Sequence, residues 1–336
     1  MTLDRLAIVG ATGAVGRELL AILEQRGWRG EELRLIASAR SAGRELEFRG
    51  ERLRVEALRP GVFDGIDVAL FAASGDVARE WAGPAGEAGA VVIDNSSAFR
   101  LDEDVPLVVP ECNPDAVRER PRGIIANPNC STIILVVALA PIVRAVGIRR
   151  VVASTYQAAS GAGIAAIDEL HAATAAALRG EDLPTPTALP HTLGFNLFPR
   201  IDVFRAGDYT REEDKMMFET RKILALPELA VEATCVRVPV ERCHSESVTV
   251  ELGAPLSAAD ARALLRAAPG LVVEDDPSAD EYPQPITWSG SDPVAVGRIR
   301  ASRVFDPGLT MWIVGDQLRK GAALNALQIA DLLAAE

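Results

Sequence analysis

The 336 residues include only three histidines and four cysteines, and no long apolar run. Each scarcity excludes something. Four cysteines in a chain of this length do not make a disulfide framework, so a reducing compartment, the cytoplasm, is expected. No apolar run reaches the ~18 residues that a bilayer span requires, so no membrane partner is expected. The opening Met1-Thr2-Leu3-Asp4-Arg5 leads straight into a strand-like stretch and does not read as a secretory signal. Positive charge is also short. Lys and Arg number 35 against 47 Asp and Glu, a formal net charge of −12. A surface of that sign repels nucleic acid and anionic lipid. An anionic small ligand would therefore have to be held by a few placed cations. The chain shows no internal repeat and no low-complexity linker, and nothing in it calls for a metal.

Apolar residues make up 49% of the chain, enough for a sizeable core, and the length suits roughly two domains. An apolar run at 6–9 is followed by Gly10-Ala11-Thr12-Gly13-Ala14-Val15-Gly16, an amphipathic stretch to about residue 26, and a second apolar run at 33–37. This reads as strand, glycine turn, helix, strand. Further strand-like runs lie at 67–72, 90–94, 107–109 and 123–126. Continuous apolar strands alternating with helices imply a parallel sheet covered on both faces. From about residue 128 the texture changes. Stretches 231–240 and 245–252 look like longer, partly alternating strands of an antiparallel sheet, and 163–178 and 211–226 look helical. Thr210 and Glu213 fit a capping box that starts the second helix at Arg211. The final stretch, 318–336, is helical and amphipathic.

Glycines at 10, 13 and 16 allow a tight turn and close approach to a pyrophosphate at a helix N-terminus, where amides and the dipole favour negative charge. The spacing is one residue longer at the front than the usual dinucleotide fingerprint. The identity of the nucleotide can be argued from the end of the second strand. An acid there would bind the ribose hydroxyls of NAD. The chain instead has Ser38, Arg40 and Ser41, and two hydroxyls with a guanidinium suit a 2′-phosphate. NADP is the expected cofactor; an ordinary exposed loop arginine is the plainer reading.

Asn127-Pro128-Asn129 is turn chemistry, and the apolar run after Ser131 and Thr132 reads as helix. Cys130 thus stands at or beside a helix N-terminus, whose positive end favours thiolate. The competing reading is a packed thiol. Cys235 lies in an apolar strand, Cys112 in a proline-flanked loop, and Cys243 beside His244 but on the opposite face of any strand that includes both. Of the histidines, His171 is mid-helix and His191 is in a loop. His244 heads a strand, and pattern alone leaves it open between a catalytic base and a packed or solvated side chain.

The motifs "GATGAVG", "ASARSAG", "VIDNSSAFR", "NPNCST", "STYQAASGAG", "GFNLFPRID", "YTREEDKM", "VRVPVERCHSESV", "VGRIR" and "WIVGDQLRKGAALNALQIA" occur in that order. Together they resemble the aspartate-semialdehyde dehydrogenase family, over a span from about residue 6 to the C-terminus. The resemblance implies an α/β chain. A Rossmann-type NADP-binding domain, 1–127, would be completed by a C-terminal helix, 316–336. An α+β catalytic and dimerisation domain with a largely antiparallel sheet would span 128–315. It implies conversion of 4-phospho-L-aspartate and NADPH to L-aspartate 4-semialdehyde, phosphate and NADP, in lysine, threonine, methionine and isoleucine synthesis, by a homodimer or homotetramer. By motif, Cys130 matches the nucleophile, Gln157 the residue that positions the thioester and His244 the acid/base. Arg237 matches the grip on the substrate α-carboxylate and Glu212 the contact to its amino group. Lys215, Arg100 and Asn95 match the phosphate contacts. Cofactor contacts are implied at Gly10, Thr12, Gly13, Ala14, Val15, Gly16, Ser38, Arg40, Ser41, Ser74, Ser160, Gly161 and Gln317. The plainer alternatives are an i,i+3 ion pair for Glu212 and Lys215, and a structural carboxylate partner for Arg237.

The chain departs from the family pattern in three places. Gln317 stands where an asparagine usually follows the aspartate at a nicotinamide contact. Cys243 stands where glycine is common before the histidine. "FAASGDVA" replaces a stretch usually richer in Gly and Ser, although Ser74-Gly75 remains. Other readings are an N-acetyl-glutamyl-phosphate reductase, whose nucleophile usually sits in "NPGCYPT", a malonyl-CoA reductase, and a non-catalytic nucleotide-binding paralogue.

Overall fold

A computed structural model describes residues 3–335. The chain divides into two compact units. One runs to Asn129 and resumes at Ala322; the other is Cys130–Gly321. The expected breaks, 127/128 and 315/316, fall two and six residues earlier.

The first unit contains β1 (Arg5–Val9), α1 (Ala14–Gln25), β2 (Glu32–Ala37), β3 (Glu45–Phe48), β4 (Glu51–Arg54), β5 (Glu56–Ala57), β6 (Val68–Phe71), α2 (Gly75–Glu87), β7 (Val91–Asp94) and β8 (Ile124–Ala126). Six strands form a parallel sheet in the order β5-β2-β1-β6-β7-β8. Strands such as β6 and β8 are buried at every residue, which explains their unbroken apolar composition. β3 and β4 form a separate hairpin around Arg49 and Gly50, both at positive φ. Such a turn usually carries Asn-Gly, so this hairpin left no clear mark in the sequence. The expected strand at 107–109 is reduced to one bridge, Leu107 to Ala126. The Asn113 side chain takes the Val109 N–H at 2.9 Å and donates to the Leu107 carbonyl at 2.9 Å, so a local loop outcompetes the ladder.

The second unit contains α3 (Cys130–Val146), β9 (Ile148–Gln157), α4 (Ile164–Arg179), α5 (Arg211–Leu224), β10 (Ala230–Arg237), β11 (His244–Leu252), α6 (Ala258–Arg266), β12 (Leu271–Val273), α7 (Pro285–Trp288), β13 (Val294–Ala301) and β14 (Gly308–Gly315). Its six-stranded sheet runs β10-β9-β11-β14-β13-β12. The three central pairings are antiparallel and the two outer ones parallel. α3 packs on α5, α6 and β14, and is buried without a break from Ser131 to Ile142. The Thr210–Glu213 capping box forms as expected and starts α5. β10 stops at Arg237, short of residue 240, because Pro239 offers no N–H to a ladder.

A π-helical turn, Arg319–Ala323, leads into α8 (Leu324–Ala334). Leu324, Leu327, Ile329, Ala330 and Leu333 join one core with Leu6 and Ile8 of β1 and Leu19 and Leu23 of α1. The C-terminal helix therefore belongs to the first unit through apolar burial. Among the described residues, no helix is long and apolar enough to cross a membrane.

Replacing Ile329, 0% exposed in α8, with alanine would leave a cavity in this core. The expected cost is about 2–5 kcal/mol, read as a lower denaturation midpoint for the first unit.

Candidate active site

In the second unit, several strands bring functional side chains to one end of the sheet. β9 and β10 run in parallel with Gln157 beside Arg237. β11 starts at that level from the opposite direction, with His244 paired to Gly315 at the end of β14. The turn Asn127-Pro128-Asn129 ends where α3 begins, and the first residue of α3 is Cys130, half-buried. The next residue of α3, Ser131, accepts a 2.8 Å hydrogen bond from Gln157 Nε2, which ties the start of the helix to the end of β9. Gly321 makes room here: a Cβ on it would stand 3.0 Å from the Cys130 Cβ.

His244 is fully buried. Its Nδ1 accepts the Ala158 N–H at 3.1 Å, so the neutral ring carries its proton on Nε2. Nε2 has no hydrogen-bond partner among the described residues. Burial, helped by the Arg237 charge and opposed by Glu212, pulls the imidazole down to about 3, so it is neutral near pH 7. Arg237 is 5% exposed and donates from Nη1 to the Ala158 carbonyl at 2.5 Å. Burial lowers its pKa, while Glu212 and the charge of a Cys130 thiolate hold it up. Gly161 lies against both groups: a Cβ there would be 3.1 Å from the imidazole and 3.2 Å from the guanidinium.

Glu212, on the first turn of α5, accepts from Gln157 Nε2 at 3.2 Å and from Lys215 Nζ at 3.0 Å. Lys215 also donates to Asp202 at 3.0 Å. Burial works against the ammonium, but Glu212 and Asp202 together raise its pKa. The i,i+3 ion pair of the plainer reading is thus formed, and Asp202 extends it. Asn95 and Arg100 stand together in the first unit, where Arg100 Nη2 donates to the Asn95 carbonyl at 2.7 Å. The Asn95 side chain donates to Phe71 O and accepts from Asn127, both at 2.8 Å.

The glycine turn of the first unit has the shape a dinucleotide requires. Gly10 is at φ +89°, and a Cβ there would be 2.3 Å from Ala72 O; a Cβ on Gly16 would be 2.3 Å from Gly10 O. Gly13 N-caps α1 without a side chain, so no protein group covers the first-turn amides of Ala14 and Val15 from that position. Thr12 lies within this turn and accepts from Arg17 Nε through its carbonyl at 3.3 Å. Ser38 and Arg40 are exposed in a turn closed by the Ser41 N–H to Ser38 O bond of 2.8 Å. The Ser74 hydroxyl N-caps α2. Ser160 and Gln317 are buried and bonded to each other in the second unit.

Two family models cover most of the chain. The semialdehyde dehydrogenase NAD binding domain matches residues 5–120, and the semialdehyde dehydrogenase dimerisation domain matches residues 139–320. An aspartate-semialdehyde dehydrogenase from Aquifex aeolicus is 54% identical over 99% of this chain and 98% of its own length. The chain belongs to the aspartate-semialdehyde dehydrogenase family. The crystal structure of aspartate semialdehyde dehydrogenase II from Vibrio cholerae superposes with a TM-score of 0.96, at 45% identity, covering 100% of this chain and 99% of that one; the same enzyme has a structure complexed with ASA. A Candida albicans aspartate semialdehyde dehydrogenase with NADP superposes with a TM-score of 0.78 at 27% identity, covering 99% of each chain.

Sequence reasoning about this family member missed three contributors. Ala158 acts through its backbone and has no residue-type mark. Asp202 lies 13 positions from Lys215, beyond any local pattern. Glu246 lies within "VRVPVERCHSESV", where the family pattern implies no role for it. It is fully buried, and neither carboxyl oxygen has a hydrogen-bond partner among the described residues. Burial and then the Glu212 charge raise it well above the carboxylate range, so it is a neutral acid. The period-two pattern from His244 could have placed it on the inner face.

Between pH 6.5 and about 3, the unfolded chain protonates His244 while the folded chain does not. Stability contributed by the neutral buried ring is therefore lost as pH falls through that window, on the order of a few kcal/mol. His244→Asn removes this dependence, so wild type should lose more of its denaturation midpoint than the variant between those pH values. Parallel curves would show a solvated histidine. Raised Glu246 gives the opposite slope above its ordinary value in both proteins.

Proposed function

We propose that this chain reduces 4-phospho-L-aspartate to L-aspartate 4-semialdehyde with NADPH, releasing phosphate, as a step toward lysine, threonine, methionine and isoleucine. The observation that carries the reading is Cys130 heading α3 at the sheet end that also holds buried His244, with an unpartnered Nε2, and Arg237.

The Gly10–Gly16 turn would hold the NADP pyrophosphate, with Ser38, Arg40 and Ser41 at the 2′-phosphate. When bound, NADPH supplies the hydride that reduces the acyl carbon. Every other task falls to the chain. The Cys130 thiolate adds to the acyl phosphate carbon, and the C–O bond to phosphate breaks, leaving a thioester. Arg237 pairs with the substrate α-carboxylate, and Glu212 with its amino group. Arg100 and Asn95 are the phosphate contacts. Lys215 serves them less directly, since its ammonium is already shared by Glu212 and Asp202.

His244 has a narrower part than general acid and base. With Nδ1 accepting from Ala158, Nε2–H is a fixed donor, suited to the acyl oxygen whenever negative charge gathers there. After reduction the alkoxide on Cys130 reforms its carbonyl and expels the thiolate. That collapse restores the nucleophile without any proton transfer. Gln157, bonded to Ser131 and Glu212, keeps the start of α3 aligned with the substrate end of β9.

The outward face of the second sheet carries Val152 and Tyr156, 42% and 36% exposed, with Tyr156 packed 5.3 Å from the Trp312 ring. Such a face suits pairing with a second copy, as a homodimer or a dimer of dimers. A reducing cytoplasm would keep the four cysteines, none of them in a disulfide, as thiols.

Cys130→Ser is expected to lower NADP reduction, with semialdehyde and phosphate as substrates, by at least about 1000-fold; near-normal turnover would reject the thioester route. Arg40→Ala should raise the KM for NADP about 10- to 100-fold and leave that for NAD unchanged, the range of a lost charged hydrogen bond. Faster turnover of N-acetyl-glutamyl semialdehyde than of aspartate semialdehyde would reassign the substrate.

A further inference from the structure

We propose that Asp202 is a positioning residue acting through Lys215: it shares the ammonium with any bound phosphate, weakens that grip and so sets how tightly phosphate is held. The inference deepens the functional reading above and rests on it.

A lysine ammonium has three N–H donors. Lys215 gives one to Glu212 Oε2 and one to Asp202 Oδ2, both at 3.0 Å, which leaves the third for a ligand. Asp202 is built into this position. Its φ is +68°, a left-handed conformation uncommon for a residue with a side chain. Its Oδ1 accepts the Val203 N–H at 2.9 Å, so one carboxylate oxygen locks the backbone while the other faces the ammonium. The chain is pinned on either side. Upstream, Phe198 exchanges two backbone bonds with Arg237, at 2.9 and 3.1 Å. Downstream, Val203 O takes the Arg211 N–H at 2.9 Å, and Phe204 bridges to Thr210, the cap of α5. This connection carries Asp202 from the arginine assigned to the α-carboxylate to the helix that bears Lys215.

Charge decides what the pairing does. Arg237 lies in the field of Glu212, Glu212 pairs with Lys215, and Lys215 pairs with Asp202. Two cations and two carboxylates cancel, so a dianion offered to Lys215 meets an ammonium already matched. An anion on the third N–H would share its nitrogen with Asp202, which sets the two oxygens roughly 5 Å apart. Repulsion over that distance outweighs what a second acid adds by steadying the ammonium. The Lys215 and Asp202 side chains are 19% and 26% exposed, so solvent screens the repulsion without removing it. Phosphate must leave in every reductive turnover, and Asp202 is the partner to which the ammonium returns.

The test is phosphate affinity, read in the oxidation of the semialdehyde by NADP and phosphate. Asparagine tolerates the left-handed backbone, and its amide oxygen can still accept the Val203 N–H, so Asp202→Asn removes the charge and little else. It should lower the KM for phosphate about 10-fold, with the KM for NADP unchanged, and strengthen inhibition by inorganic phosphate in the reductive direction by a similar factor. A variant that was merely damaged would not bind phosphate more tightly. In a Lys215→Gln background the same change should have little effect. If Asp202→Asn does not fold, Asp202→Gly also accepts positive φ and should show the same gain. An unchanged or raised KM for phosphate would overturn the proposal. So would a full effect in the Lys215→Gln background, since Asp202 would then act without the ammonium. Wild type inactive on the semialdehyde would instead overturn the functional reading. Calorimetric titration with inorganic phosphate in the presence of NADP would still decide the role of Asp202, because tighter binding by Asp202→Asn requires no turnover.

Discussion

The Ala158 peptide holds the site together. Its N–H occupies His244 Nδ1 and its carbonyl takes the Arg237 guanidinium. It is free to do so because β9 ends at Gln157, so the next peptide leaves the ladder and its polar groups need partners. β10 ends and β11 begins at the same level, which delivers Arg237 and His244 to that peptide. One backbone residue thereby fixes a tautomer and the direction of a buried cation. Both bonds use backbone atoms, which is why the residue type says nothing about the role.

Around that anchor, burial assigns each ionisable group its state. His244 and Glu246 are both fully buried and both neutral for one reason, that burial disfavours charge: the imidazole resists taking up a proton and the carboxyl resists giving one up. Burial lowers the Arg237 pKa, and the Glu212 charge offsets part of that cost. Lys215 remains charged because two carboxylates flank it. In a chain with a formal charge of −12, the cations near the site are few and each is braced. A buried charge with no such brace would cost several kcal/mol.

Local features were legible from the residues alone. The glycine turn, the Thr210 capping box and the helix that starts at Cys130 appear where the sequence puts them. The parallel strands of the first unit announced themselves by unbroken apolar runs. Reading failed where a nearby side chain took up strand backbone groups, as Asn113 does at 107–109, or where a hairpin formed without its usual turn residues, as at Arg49-Gly50. At the site, residue types were readable as candidates, but their states were not. Lys215 reads as a phosphate cation or a surface ion pair, and its half-buried ammonium is shared by two acids.

The sequence by itself determined the apolar strands β1, β2 and β6, the glycine turn, the Thr210 cap and the placing of Cys130 at a helix start, because each depends on residues within a few positions of one another. Only the tertiary structure decided which His244 nitrogen carries the proton, that Glu246 is a neutral acid, and that Gln317 bonds to Cys243 and Ser160. Those outcomes rest on partners 86 positions apart for Ala158 and His244, 74 for Cys243 and Gln317, and 157 for Ser160 and Gln317. Protonation and hydrogen bonding answer to burial and distance in space, and neither quantity exists until the strands have come together.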